Sequence, residues 1–102
     1  MRVHFTPDAR ESIRYKRAWW EANRDKAPGL FLEELRAVMV KIRTGADDER
    51  RVYTTRGRTI IWRILMPKTR HHVYYRVDLA AQLAEVLLVW NAQGGEQPSV
   101  PS

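Results

Sequence analysis

Two different periods of apolar residues run along this chain. In the first half, Phe31, Leu35, Val38 and Ile42 recur at spacings of four, three and four, with Met39 adjacent. That is the stripe of an amphipathic helix. Pro28 marks its entry, and Gly45, after Thr44, supplies the stop. A weaker stripe precedes it: Ala9, Ile13 and Trp20, with Trp19 beside them and Lys16 interrupting. It predicts a helix from Pro7 to about Arg24, with Thr6 as N-cap and Asp8 where the helix dipole favours a carboxylate. Asp25-Lys26-Ala27 between the two stripes predicts an antiparallel hairpin. Arg2 to Phe5, ahead of both, predicts a short strand.

After the acidic link Ala46-Asp47-Asp48-Glu49, expected to be exposed, the period drops to two. Val52 and Tyr53 sit in a first strand, and Arg56-Gly57-Arg58 turns. From Arg58 to Met66, Ile60, Trp62, Ile64 and Met66 share one face, with Ile61, Arg63 and Leu65 on the other. Pro67-Lys68-Thr69 breaks that strand. His71, Val73, Tyr75 and Val77 then share a face, opposite His72, Tyr74, Arg76 and Asp78. A final strand is expected over Leu83 to Asn91. The order predicts an α+β domain, β-α-α-β-β-β-β, with a helical hairpin packed on one face of an antiparallel sheet. At 102 residues there is room for one such domain, expected over residues 1–93, with 94–102 as a mobile tail.

Charge adds a direction to this picture. Between Arg50 and Val77 the chain carries Arg50, Arg51, Arg56, Arg58, Arg63, Lys68, Arg70 and Arg76, with His71 and His72, and no Asp or Glu. On a folded sheet these form a surface suited to an anionic partner, either a nucleic acid or an acidic protein; the bland alternative is a solvated basic surface. Net charge is +6. The absence of cysteine excludes disulfides, thiol chemistry and zinc ribbons. The N-terminal sequence has no apolar leader, and no window approaches the roughly 20 apolar residues of a membrane span. The expectation is a soluble, cytoplasmic protein.

Candidate chemistry is sparse. His71 and His72 are adjacent on a strand and point to opposite faces, so they do not suit a shared metal, and neither metal nor cofactor is expected. Tyr74 and Tyr75 split in the same way, with Tyr75 expected under the helices and Tyr74 on the open face. Trp19, Trp20, Trp62 and Trp90 align with aliphatic residues, as core or interface residues do. Arg10, Arg14 and Arg17 fall on one side of the first helix, either a solvated face or one that meets an acidic segment.

Several segments, in order, carry a resemblance. They are Phe5-Thr6-Pro7-Asp8-Ala9; Trp20 with Asn23-Arg24 and Ala27-Pro28; Leu30-Phe31 with Glu34-Leu35; the run Arg63 to Asp78; and Val86-Leu87-Leu88-Val89-Trp90. Over about Val3 to Trp90 the chain resembles the RelE/ParE superfamily of toxins from type II toxin–antitoxin systems, and most closely the ParE, or plasmid-stabilisation, branch. It departs from that pattern after Trp90. Family members commonly have a histidine there followed by arginines, whereas this chain reads Asn91-Ala92-Gln93-Gly94-Gly95.

The resemblance implies a toxin that poisons DNA gyrase by binding and is neutralised by an acidic ParD-like antitoxin. On that reading the target-binding residues are expected to be Arg58, Arg63, Lys68, Arg70, His72, Tyr74, Asn91 and Gln93. The antitoxin is expected on Arg10, Arg14, Arg17, Trp20, Arg63, Leu65 and Arg76. The alternative is a RelE-like, ribosome-dependent, metal-independent mRNA interferase. Its candidate residues are Arg63, Lys68, Arg70 and Arg76 as cations, and His72 and Tyr74 for the protons. A third possibility is an attenuated toxin that retains antitoxin binding. Asn91 and Gln93 do not titrate where RelE-like nucleases place a Tyr or His, which favours the binding reading.

Overall fold

A computed structural model describes residues 1–93 and 98–101 of the chain. The elements are β1 (Arg2–Phe5), α1 (Pro7–Asn23), α2 (Leu30–Thr44), β2 (Arg51–Arg56), β3 (Thr59–Met66), β4 (His71–Asp78) and β5 (Leu83–Asn91). Thr6 caps α1: its side-chain oxygen accepts from the Ala9 amide at 3.2 Å, and its hydroxyl donates to the Val86 carbonyl. The cap therefore also ties the helix to the sheet, and such caps contribute about 1 kcal/mol. The second helix starts two residues beyond Pro28, with Gly29 as N-cap, and stops at Gly45, whose φ of 76° is the left-handed conformation that glycine adopts without strain.

The five strands form one sheet in the order β1-β5-β4-β3-β2. Successive strands from β2 to β5 pair antiparallel, while β1 adds at the far edge parallel to β5, so the sheet is mixed. Both helices lie on one face. Phe31, Leu35, Val38 and Ile42 of α2, with Ala9 and Trp20 of α1, share a core with Ile64, Met66, Val73, Tyr75, Val86 and Val89.

The opposite face has its own smaller cluster of Ile61, Tyr74, Leu87, Leu88 and Val100, with Tyr53 packed against it. A bulge in β5 builds it. Tyr75 pairs with Val86 and Tyr74 with Leu88, leaving Leu87 as the extra residue, so Leu87 and Leu88 join the same cluster.

Two parts of the chain differ from their expected surroundings. Asp47, in the acidic link, is 3% exposed, because its carboxylate accepts hydrogen bonds from the Tyr75 phenol and the Arg50 guanidinium. The expectation of a mobile tail falls partly on residues 94–97 and 102, outside the described residues. Residues 98–101 are described against the open sheet face, where Val100 is 2% exposed.

Candidate functional site

The open face of β2, β3 and β4 gathers the charged and aromatic side chains into one patch. Register fixes its membership: Arg63 lies opposite Tyr74 and Leu65 opposite His72 across β3 and β4, and Arg51 lies opposite Arg63 across β2 and β3. The Tyr53 and Tyr74 rings meet edge-on with centroids 4.7 Å apart, and His72 lies 6.0 Å from Tyr74. The Arg63 guanidinium sits 5.6 Å from the Tyr53 ring centre, and its charge acts on the Tyr74 phenol. A shallow cavity of about 370 Å³ opens beside this group, lined by Lys41, Glu49, Arg51, Arg63, Leu65, Pro67 and His72.

The electrostatics make the patch cationic through its arginines. Burial lowers the pKa of His72, and the charges of Arg63 and Arg70 lower it further, so His72 is neutral at pH 7. Burial raises the pKa of Tyr74 against the pull of Arg63. Tyr74 is only 1% exposed. Its phenol stays protonated and is covered.

The basic loop between β3 and β4 is held by a helix. The Glu34 carboxylate on α2 accepts from the Lys68 amide at 2.9 Å and the Thr69 amide at 2.7 Å. The Arg70 amide donates back to the Met66 carbonyl, and Arg70 itself takes a φ of 62°. Lys68 and Arg70 are therefore exposed on a loop with a fixed backbone. Among the described residues, the side chains of Arg58, Lys68 and Arg70 form no ion pair.

Not every expected site residue belongs to this patch. Arg58 lies at the β2–β3 turn and lines a different cleft of about 670 Å³, with Arg50, Trp62, Val77, Arg76 and Glu85. Asn91 pairs with His71, so it shares the helix-side register and not that of His72, and its side-chain oxygen accepts from the Gln93 amide at 2.8 Å. Asn91 and Gln93 are both exposed, but at the strand end.

Arg76 stands on the open face, but Glu85 neutralises it with bonds of 2.9 and 2.6 Å. Arg10, Arg14 and Arg17 border a groove of about 490 Å³ lined by Phe5, Ile13, Ala18 and Leu35 and by Glu21, which pairs with Arg17 at 2.8 Å. Trp20, expected at the antitoxin surface, is a core residue: it is 8% exposed and its indole N–H donates to the Ala27 carbonyl at 2.8 Å. That bond ties the end of α1 to the link before α2.

Four residues that organise the site were not singled out from the sequence for this role: Tyr53, Glu34, Asp47 and Val100. A carboxylate inside an apolar helical stripe, as Glu34 is between Phe31 and Leu35, is the one available signal. Tyr53 could not be assigned a face, because β2 is irregular between Val52 and Thr54. No helix of the described residues is long and apolar enough to cross a membrane. No family model matches the chain, and neither a curated protein nor a solved structure matches it significantly.

Proposed function

We propose that this chain is a toxin of the ParE type, acting by binding DNA gyrase and neutralised by an acidic antitoxin. One observation carries the reading. Among the described residues, the open sheet face offers arginines around a half-apolar floor, and its titratable groups are covered or already paired. His72 shares its cavity with Glu49, whose carboxylate is taken by Lys41, and the tyrosine is 1% exposed and held protonated. General acid–base cleavage of RNA needs an accessible titrating pair, whereas docking on an acidic or nucleic-acid-bearing surface needs only shape and charge. Arg63, Lys68 and Arg70 would supply that charge.

The exposed Arg10, Arg14 and Arg17 row, beside its apolar groove, fits an acidic antitoxin helix. The second reading, an mRNA interferase, is favoured by the proximity of His72, Tyr74 and Arg63. Pulse-labelling with thymidine and methionine after induction without antitoxin separates the two. Gyrase poisoning stops thymidine incorporation first. Loss of methionine incorporation first would overturn it in favour of RNA cleavage. Undisturbed incorporation of both would count against a toxin of either kind.

A further inference from the structure

The 98–101 segment occupies the open sheet face as a peptide ligand would. Val100 fills a slot between Ile61, Tyr74, Leu87 and Leu88. The Tyr53 phenol donates to the Pro98 carbonyl at 2.5 Å, and the Arg56 guanidinium donates to the Val100 carbonyl. Two carbonyls two residues apart are thus read by two side chains of β2. Ser99 between them points no buried side chain into the face. Pro98 and Pro101 flank the contact, lack amide N–H groups and hold φ near the extended value. Recognition therefore uses one aliphatic side chain and two main-chain acceptors, all of which another extended polypeptide can present.

We propose that residues 98–101 are a built-in occupant of a peptide-binding slot. The slot's other ligand is an extended acidic segment of a second polypeptide, carrying an aliphatic residue in the place of Val100. The acidic character follows from the rim, where Arg51, Arg56 and Arg63 stand on β2 and β3 with Arg51 and Arg63 in register. A nucleic acid fits less well: the slot takes one aliphatic side chain and binds two main-chain carbonyls two residues apart, a pattern that a polypeptide presents and a nucleic acid does not.

A tethered occupant competes at an effective concentration of about millimolar, so weak partners are refused and only a better-matched segment displaces it. The inference draws on the antitoxin reading only for the partner's role; the slot rests on its own geometry.

The test uses the full chain and a synthetic hexapeptide, Glu-Pro-Glu-Val-Pro-Glu, followed by calorimetry or fluorescence anisotropy. In Val100→Asp the tethered occupant loses its anchor, and the peptide should bind at least ten-fold more tightly than to the unaltered chain. The same peptide with aspartate for valine should not bind. Equal affinity for the two proteins, or binding to neither, overturns the proposal. So does a single-stranded oligouridylate that binds Val100→Asp more tightly than the hexapeptide does. Should Val100→Asp fail to give a cooperative melt, Val100→Ala serves, with an expected gain of at least three-fold. Neither gyrase nor antitoxin enters the assay, so failure here leaves the pulse-labelling result standing, and the reverse.

Discussion

The Tyr75 phenol donates a 2.5 Å hydrogen bond to Oδ2 of Asp47, and both groups are buried. The bond fastens the link between helix and sheet to the centre of β4. Arg50 completes it: its guanidinium bonds Oδ1 of Asp47 at 3.0 Å and lies 4.1 Å from the centre of the Trp62 ring. A buried carboxylate needs such partners, because stripping one away leaves its desolvation uncompensated. Tyr75→Phe should therefore destabilise the fold by about 1.5–3 kcal/mol, the range for hydrogen bonds to charged groups. Urea denaturation should show a lower midpoint with an unchanged slope. A loss below about 0.5 kcal/mol would mean that Arg50 alone satisfies Asp47.

Acid stability should report on His71. This side chain is 4% exposed, meets Phe31 and Trp20 edge-on, and leaves Nδ1 without a hydrogen-bond partner among the described residues. Burial, and then the Lys16 charge, lower its pKa from 6.5 to about 4, against weaker opposing contributions from the Thr69 backbone and Glu34. The unfolded chain thus binds a proton between pH 6.5 and 4 that the folded chain refuses. Stability is lost as pH falls through that window, and levels off for this group below about 4. The shift corresponds to about 3 kcal/mol. Midpoints in urea measured from pH 7 to pH 4 should fall more steeply for the parent than for His71→Leu. Parallel slopes would remove His71 as the cause.

The Glu34 carboxylate makes a different prediction, because its partners are backbone amides. Glu34→Ala leaves the Lys68 and Thr69 N–H groups without their acceptor. The expected cost is about 2 kcal/mol, or a melting temperature lower by about 10 °C for a domain of this size. The local signature is sharper: amide exchange at Lys68 and Thr69 should accelerate by more than the global loss explains. If those two amides exchange no faster than the rest of β3, the loop is held by something other than α2.

Much of this architecture is legible in the sequence, and what is not has physical reasons. Thr6, Gly45 and the switch from a period of 3.6 to 2 are local signals, and the helices and strands follow them closely. Asp47 is a long-range case. In sequence it belongs to an acidic run that looks solvated, and its burial depends on Tyr75 arriving from β4, with Arg50 three residues on completing the site. The parallel pairing of β1 with β5 has no local signal either, since a four-residue strand meets a partner from the other end of the chain. Val100 is a single aliphatic residue between prolines, and only the β5 bulge makes a place for it. Trp20 misled through its type, because a tryptophan at an irregular helical stripe suits a core or an interface equally well. The basic patch was legible as charge, but its partial neutralisation was not: Glu85 reaches Arg76 from β5, and Glu49 reaches back to Lys41 on α2.

Arg70 carries the test of the working surface. It is exposed and forms no ion pair among the described residues, so Arg70→Glu changes charge with little effect on the core. On the gyrase reading, growth arrest after induction should need at least ten-fold more inducer, with the melting temperature nearly unchanged. Arrest at the parent's inducer level would place the target-binding surface elsewhere, with the Arg58 cleft the next candidate.

Asn91→His restores the residue type that the resembling family commonly carries after Trp90. The register sets Asn91 with His71, on the other side of the sheet from His72, Tyr74 and Arg63. An imidazole at this position joins no proton-exchanging pair with them. It also loses the bond from the Gln93 amide to the Asn91 side chain, a local cost of about 1 kcal/mol. Thymidine incorporation after induction should therefore change less than about two-fold, because binding by charge and shape does not depend on this corner. A ten-fold or larger gain in toxicity would assign a working role to the strand end and identify the present chain as attenuated there. A gain in methionine arrest alone would instead point to RNA cleavage, with the new imidazole as the missing acid or base.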